Sequence, residues 1–138
     1  RLVKAKVLNA RLAFIGQGPM LERLRSSVAS MGLGGSVAFL GYRDDARQLL
    51  DQADVLLQPS RYEGFGLAVI EAAITGVPTV ASDVPGLREA ILQDETGYLH
   101  STDAPVEMAQ SVVKIITDTM VRHRLGSNAT KFAKERFA

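Results

Sequence analysis

The chain has 138 residues, enough for one compact domain and too few for a second core. With 46% hydrophobic and 22% charged residues it is neither a disordered tail nor a fibrous repeat, and a net charge of +1 excludes the strongly basic footprint of a general nucleic-acid binder. No cysteine is present, so there is no disulfide framework and no thiolate metal site, which fits a reducing cytoplasm.

In chain order, Arg1 to Ala10 lack the uninterrupted apolar centre of a signal peptide. Leu12 to Ile15 read as a strand that stops at Gly16, and Pro19 suits the first turn of a helix running to about Met31, with Leu21, Leu24, Val28 and Met31 at helical spacing. Val37 to Leu40 form the next strand, followed by a polar turn at Gly41 to Asp45 and a short helix through Leu49 and Leu50. Val55 to Leu57 make a third strand, closed by Pro59, because proline cannot continue a central ladder. Arg61 to Gly66 form a loop, and Leu67 to Thr75 a helix whose apolar positions Val69, Ile70, Ala73, Ile74 and Val77 share one face, with Gly76 as its stop. A fourth strand at Thr79 to Ala81, a short helix at Leu87 to Leu92 and a fifth strand at Gly97 to Leu99 follow, and from Pro105 two helices complete the chain.

Basic residues gather at the two ends, at Arg1, Lys4, Lys6 and Arg11 and at Arg122, Arg124, Lys131, Lys134 and Arg136. They read as solvated helix faces in preference to a membrane-surface patch. No apolar run approaches the about 20 residues of a transmembrane helix, so the expected location is cytoplasmic, with peripheral membrane association of the full-length protein left open.

Strands alternating with helices predict an α/β fold, a Rossmann-like parallel sheet with helices on both faces. Ligands bind such sheets beyond the carboxyl ends of the strands, which directs attention to Gly16–Pro19, Gly41–Asp44, Gln58–Gly66 and Ser82–Gly86. Gly16 and Gly18 open a strand-to-helix turn where a phosphate or sugar can approach the backbone, but the third glycine of a dinucleotide fingerprint is replaced by Leu21, which weakens an NAD or FAD reading. Gly64 and Gly66 flank Phe65 at the start of a helix, where free amides carry partial positive charge suited to a diphosphate. Glu63 before that helix and Glu71 within it would oppose a phosphate unless they accept hydrogen bonds from hydroxyls, and a sugar and a ribose supply those. The bland alternative, two solvated carboxylates, holds for either glutamate taken singly.

Together the two glutamates carry a resemblance. The run from Pro59 through Glu63, Gly64, Phe65, Gly66 and Leu67 to Glu71 and Ala72 resembles the E-x7-E signature of glycosyltransferase family 4, enzymes of the GT-B fold. The likeness extends through Phe14 to Pro19, Phe39 to Gly41, Ala53-Asp54, Gly76 to Ser82 and Gly97 to Leu99, and so covers nearly the whole chain. It implies retaining, metal-independent transfer from a UDP-, GDP- or ADP-sugar, which is a substrate and not a cofactor. It further implies that Glu71 binds the ribose hydroxyls, that Glu63 is the catalytic-site glutamate facing the donor sugar, and that the backbone around Phe65, Gly66 and Leu67 holds the diphosphate or sugar. Tyr42 and Arg43 would border the base.

Full-length members of that family open this domain with a strand and a Gly-Arg loop followed by a lysine. Here Arg1 to Lys6 read as the end of the helix after that loop, in preference to a remnant of it. The first strand and the acceptor-binding N-terminal domain are expected outside these residues, and the 138 residues by themselves are expected to bind nucleoside diphosphate weakly without turnover. A binding module without turnover and a GT-B sugar-nucleotide epimerase are the alternatives. His100 and His123 lack metal-site companions, Asp44 or Asp45 suits a helix cap, and Ser60 and Ser82 lack a general base at matching spacing.

Overall fold

The structure, a computed structural model, describes residues 1–137. Its contacts divide into two compact units, Arg1–Ala46 and the residues from Arg47 onward, and its strands into a two-stranded and a three-stranded sheet. Every ladder is parallel, as the alternation predicts.

The first unit holds α1 (Leu2–Lys6), β1 (Leu12–Ile15), α2 (Leu21–Ser30) and β2 (Val37–Gly41). β1 and β2 pair with Leu12 beside Val37 and Phe14 beside Phe39, and the two rings stack at 5.1 Å. The Arg25 guanidinium lies over Phe39 at 4.8 Å. α2 begins at Leu21 and not at Pro19, because residues 18–20 turn first and the Leu21 N–H closes that turn on the Gly18 carbonyl at 3.2 Å. No residue of this unit is buried.

α3 (Ala46–Leu50) leads into the second unit, which continues with β3 (Leu56–Gln58), α4 (Leu67–Ile74), β4 (Thr79–Ser82), α5 (Pro85–Arg88), β5 (Gly97–His100), α6 (Pro105–Thr117) and α7 (Thr119–Phe137). β4 runs between β3 and β5, and all four of its residues are buried. Val69 and Ile70 of α4 pack with Ala81, Leu87 and Ile91, while Ala73 meets Ala129 and Ala133 of α7. Contact on both sides rotates the buried arc of α4 away from the expected one: Ala72 is 0% exposed and Ile74 is 37% exposed.

The end of α4 is a Schellman motif, with the Val77 N–H on the Ala72 carbonyl at 2.8 Å, the Gly76 N–H on the Ala73 carbonyl at 3.0 Å, and Gly76 at φ 80°. α7 crosses there on a bare surface, since a Cβ at Gly126 would stand 2.2 Å from the Gly76 carbonyl oxygen. α5 starts at Pro85 and ends at Arg88, earlier than the expected Leu87 to Leu92, because proline at its first position presets the helical φ.

Candidate functional site

The connection from β3 to α4 carries most of the predicted site. Gln58 is the last residue of β3, and Pro59 ends the ladder there. The Gln58 Nε2 donates to Ser60 Oγ at 2.9 Å and to Glu63 Oε2 at 3.4 Å, and the Ser60 hydroxyl approaches the same Glu63 oxygen at 3.5 Å. The half-buried Glu63 carboxylate is thus braced by two neutral side chains and keeps accepting capacity for a ligand hydroxyl.

Gly66 caps α4 in the left-handed conformation, φ 71° and ψ 42°, which glycine adopts without steric cost. Space demands glycine there as well, since a Cβ would stand 3.0 Å from Leu87 Cδ2. No side chain caps the helix, and among the described residues none of the amides from Gly64 to Val69 donates to a protein acceptor. They form the positive end of α4 with their donors free. Gly64, by contrast, has open space around it and no left-handed φ.

Phe65 is 63% exposed and sets its edge against Phe137 at 6.2 Å between ring centres. Leu67, the first residue of α4, is exposed, and Glu71, in the next turn, is half-buried with no protein hydrogen bond on its carboxylate among the described residues.

The second strand-end loop of this unit, Ser82 to Gly86, meets the first. A Cβ at Gly86 would fall 1.9 Å from the Glu63 carbonyl oxygen and 3.0 Å from the Gly64 carbonyl carbon, so the two backbones touch. Sequence reasoning places Gly86 in a strand-end loop without giving it a partner, and it takes Gln58 as the start of a ligand-facing loop without giving its side chain a role. The available signals are the polar Gln58 at a strand end and a glycine inside a short helix, where it costs helix propensity.

In the first unit Gly16 and Gly41 meet at the carboxyl ends of β1 and β2, where the Gly16 N–H donates to the Gly41 carbonyl at 2.7 Å. Gly16 has φ 117°, whereas Gly18 is exposed with nothing near its Cβ position. Tyr42 is 72% exposed. Arg43 is bound bidentately to Asp45, with Nε to Oδ1 and Nη2 to Oδ2 both at 2.7 Å. That hydrogen-bonded pairing holds the Asp45 carboxyl below its ordinary range, against the opposing effect of desolvation and with Coulomb attraction adding, and raises Arg43 above its own. Both Asp45 oxygens therefore serve Arg43 in place of the expected helix cap.

Ser82 is fully buried, which removes it as a nucleophile, and His100 Nε2 lies 2.7 Å from Ser111 Oγ, in keeping with a structural histidine. Among the described residues no three His, Cys, Asp or Glu side chains group as metal ligands, and no helix is long and apolar enough to cross a membrane.

With that geometry in view, the comparisons with known proteins are specific. The family described as Glycosyl transferases group 1 matches residues 1–132. N-acetyl-alpha-D-glucosaminyl L-malate synthase of Bacillus anthracis is 30% identical over 94% of this chain and 34% of its own length. Among solved structures, TarM of S. aureus, crystallised with UDP among its ligands, is 25% identical with a TM-score of 0.96 over 99% of this chain and 28% of that one. HepE of Anabaena in complex with UDP is 28% identical with a TM-score of 0.88 over 99% of this chain and 40% of that one. The chain spans about a third of the length of the curated relatives it matches. These likenesses show the GT-B-type α/β fold, and with a family match that runs almost from end to end, the chain belongs to the group 1 glycosyl transferases.

Proposed function

We propose that this chain is the donor-binding, C-terminal part of a retaining glycosyltransferase of family 4, which moves a sugar from a UDP-, GDP- or ADP-sugar to an acceptor held by an N-terminal domain. The observation that carries this reading is the run of free amides from Gly64 to Val69 at the left-handed start of α4. As the glycosidic bond breaks, negative charge grows on the diphosphate leaving group, and preorganised donors aimed at that charge supply the largest catalytic contribution. A helix N-terminus provides them without reorganisation and with no metal required.

Glu71 accepts from both ribose hydroxyls, a bidentate arrangement suited to its unpartnered carboxylate. Glu63 accepts from hydroxyls of the donor sugar, its orientation set by Gln58 and Ser60. Gly16, Gly18, Tyr42 and Arg43 of the first unit are donor-binding candidates on the family resemblance, each to be tested by its own substitution. UDP in the TarM and HepE structures supports UDP as the first nucleotide to try. The greater length of the relatives supports a separate acceptor domain.

Thermal-shift and calorimetric titration of the complete gene product with UDP, GDP and ADP tests the binding reading. A ligand at 100 times its dissociation constant stabilises by about 2.7 kcal/mol, and a flat response to all three nucleotides overturns it. Anomeric configuration of the product, read by NMR, tests retention: a product inverted relative to its donor overturns that part.

A further inference from the structure

We infer that Gly86 is a positioning residue for the donor sugar, setting through its missing side chain the place of the Glu63 backbone. This rests on the proposed role of Glu63. Gly86 has no left-handed φ, so its conformation does not demand glycine. Space does. A Cβ there would lie 1.9 Å from the Glu63 carbonyl oxygen and 2.6 Å from its carbonyl carbon, against an ordinary carbon–oxygen contact of about 3.3 Å. The obstruction is backbone on both sides, so no rotamer relieves it, and the Glu63 carbonyl would have to retreat by about 1 Å or more.

The neighbouring contacts direct that retreat into the loop. α5 is held by the fully buried Leu87, and Val69, Ile70, Ala72 and Ala73 anchor α4 in the core. Among the described residues the backbone from Pro59 to Phe65 makes no hydrogen bond, and the Glu63 carboxylate is held by the Gln58 and Ser60 bonds, at 3.4 and 3.5 Å. A methyl at position 86 therefore moves Glu63 off its brace, and with it the Gly64 N–H of the same peptide, while leaving Glu71 and the free amides within α4 in place. Sugar recognition and nucleotide recognition separate, a split that general loss of packing does not produce. Misplacing a group by about 1 Å in a tuned site costs up to about a hundredfold.

The test is calorimetry of UDP and UDP-glucose on the complete gene product, reading the ratio of their two affinities. Gly86→Ala is expected to lower the preference for UDP-glucose about tenfold while changing UDP affinity less than about threefold, and to add nothing in the Glu63→Ala background. A preference unchanged by Glu63→Ala removes the reading on which the inference rests. A preference lowered by Glu63→Ala but not by Gly86→Ala, or additive losses in the double variant, overturns the inference alone. Should Gly86→Ala not fold, Pro85→Gly, which frees the fixed φ at the start of α5, serves instead. It is expected to lower the preference at least about twofold, again without addition to Glu63→Ala, and an unchanged preference there overturns the inference.

Discussion

No residue between Arg1 and Ala46 is buried, whereas β4 in the other unit is buried at every position and Leu87, Ile115 and Leu125 have no accessible surface. Both units read the same way in sequence, as apolar strands alternating with helices of apolar period. The difference lies in what the pattern finds to cover it. The first unit has a two-stranded ladder steadied by the Phe14 and Phe39 stack, and two-stranded sheets are marginal by themselves. The second has a central strand, a Schellman stop and small residues that let α7 reach α4. The glutamates and free amides sit on the second unit, where rigid packing can hold them to the tolerance a ligand demands.

The largest expected effect sharpens this contrast. Leu125→Ala empties a fully buried position and should cost about 2–5 kcal/mol. Leu12→Ala, at a position already 40% exposed, should cost under about 1 kcal/mol. Urea denaturation with hydrogen exchange on each variant measures both, and equal losses would break the comparison.

Next in size is the division of labour within the packed unit. On the proposed ribose contact, Glu71→Ala should weaken nucleoside diphosphate binding by about 1.5–3 kcal/mol through loss of charge-assisted bonds to a diol. Glu63→Ala should leave free nucleotide affinity nearly unaltered and reduce the preference for the nucleotide-sugar. Equal losses for nucleotide and nucleotide-sugar in Glu63→Ala count against its assignment to the sugar.

A smaller step separates the two glycines beside Phe65. Gly66→Ala puts a side chain at φ 71° against Leu87 and should destabilise by about 1–2 kcal/mol more than Gly64→Ala, whose position is open. Comparable thermal midpoints for the two variants would show that the left-handed cap is dispensable.

Much of this was legible in the residues themselves. The five strands follow from apolar runs punctuated by glycine and proline, although β2, β3, β4 and β5 each run one residue beyond the expected end, to Gly41, Gln58, Ser82 and His100, and the start of α4 follows from its flanking glycines. Side-chain geometry was less accessible. The buried arc of α4 includes Ala72 and loses Ile74 because α7 packs on the far side, a contact no local period encodes. Gly86 meets Glu63 because β3 and β4 are adjacent and parallel, which brings together loops distant in sequence. The Asp45 carboxylate looked free to cap a helix, and the bidentate geometry of Arg43 two residues before it decided otherwise.

That last pair gives the smallest expected effect. Arg43 and Asp45 are both solvated, so their pairing contributes little to stability and is weakened by salt. Its signature is in titration. Because Arg43 holds the folded-state Asp45 carboxyl low, the contribution is fully present above the unfolded value of about 3.9 and disappears as pH falls through the lowered folded value. At neutral pH the loop should therefore keep Arg43 engaged, and the guanidinium is released as pH falls through the lowered folded-state value of Asp45. NMR titration of the Asp45 carboxyl should give a midpoint below the ordinary one, and Arg43→Ala should return it toward that value, as should added salt. An Asp45 midpoint indifferent to Arg43→Ala would mean that the pair does not persist in solution, leaving the Arg43 side chain unrestrained by its neighbour.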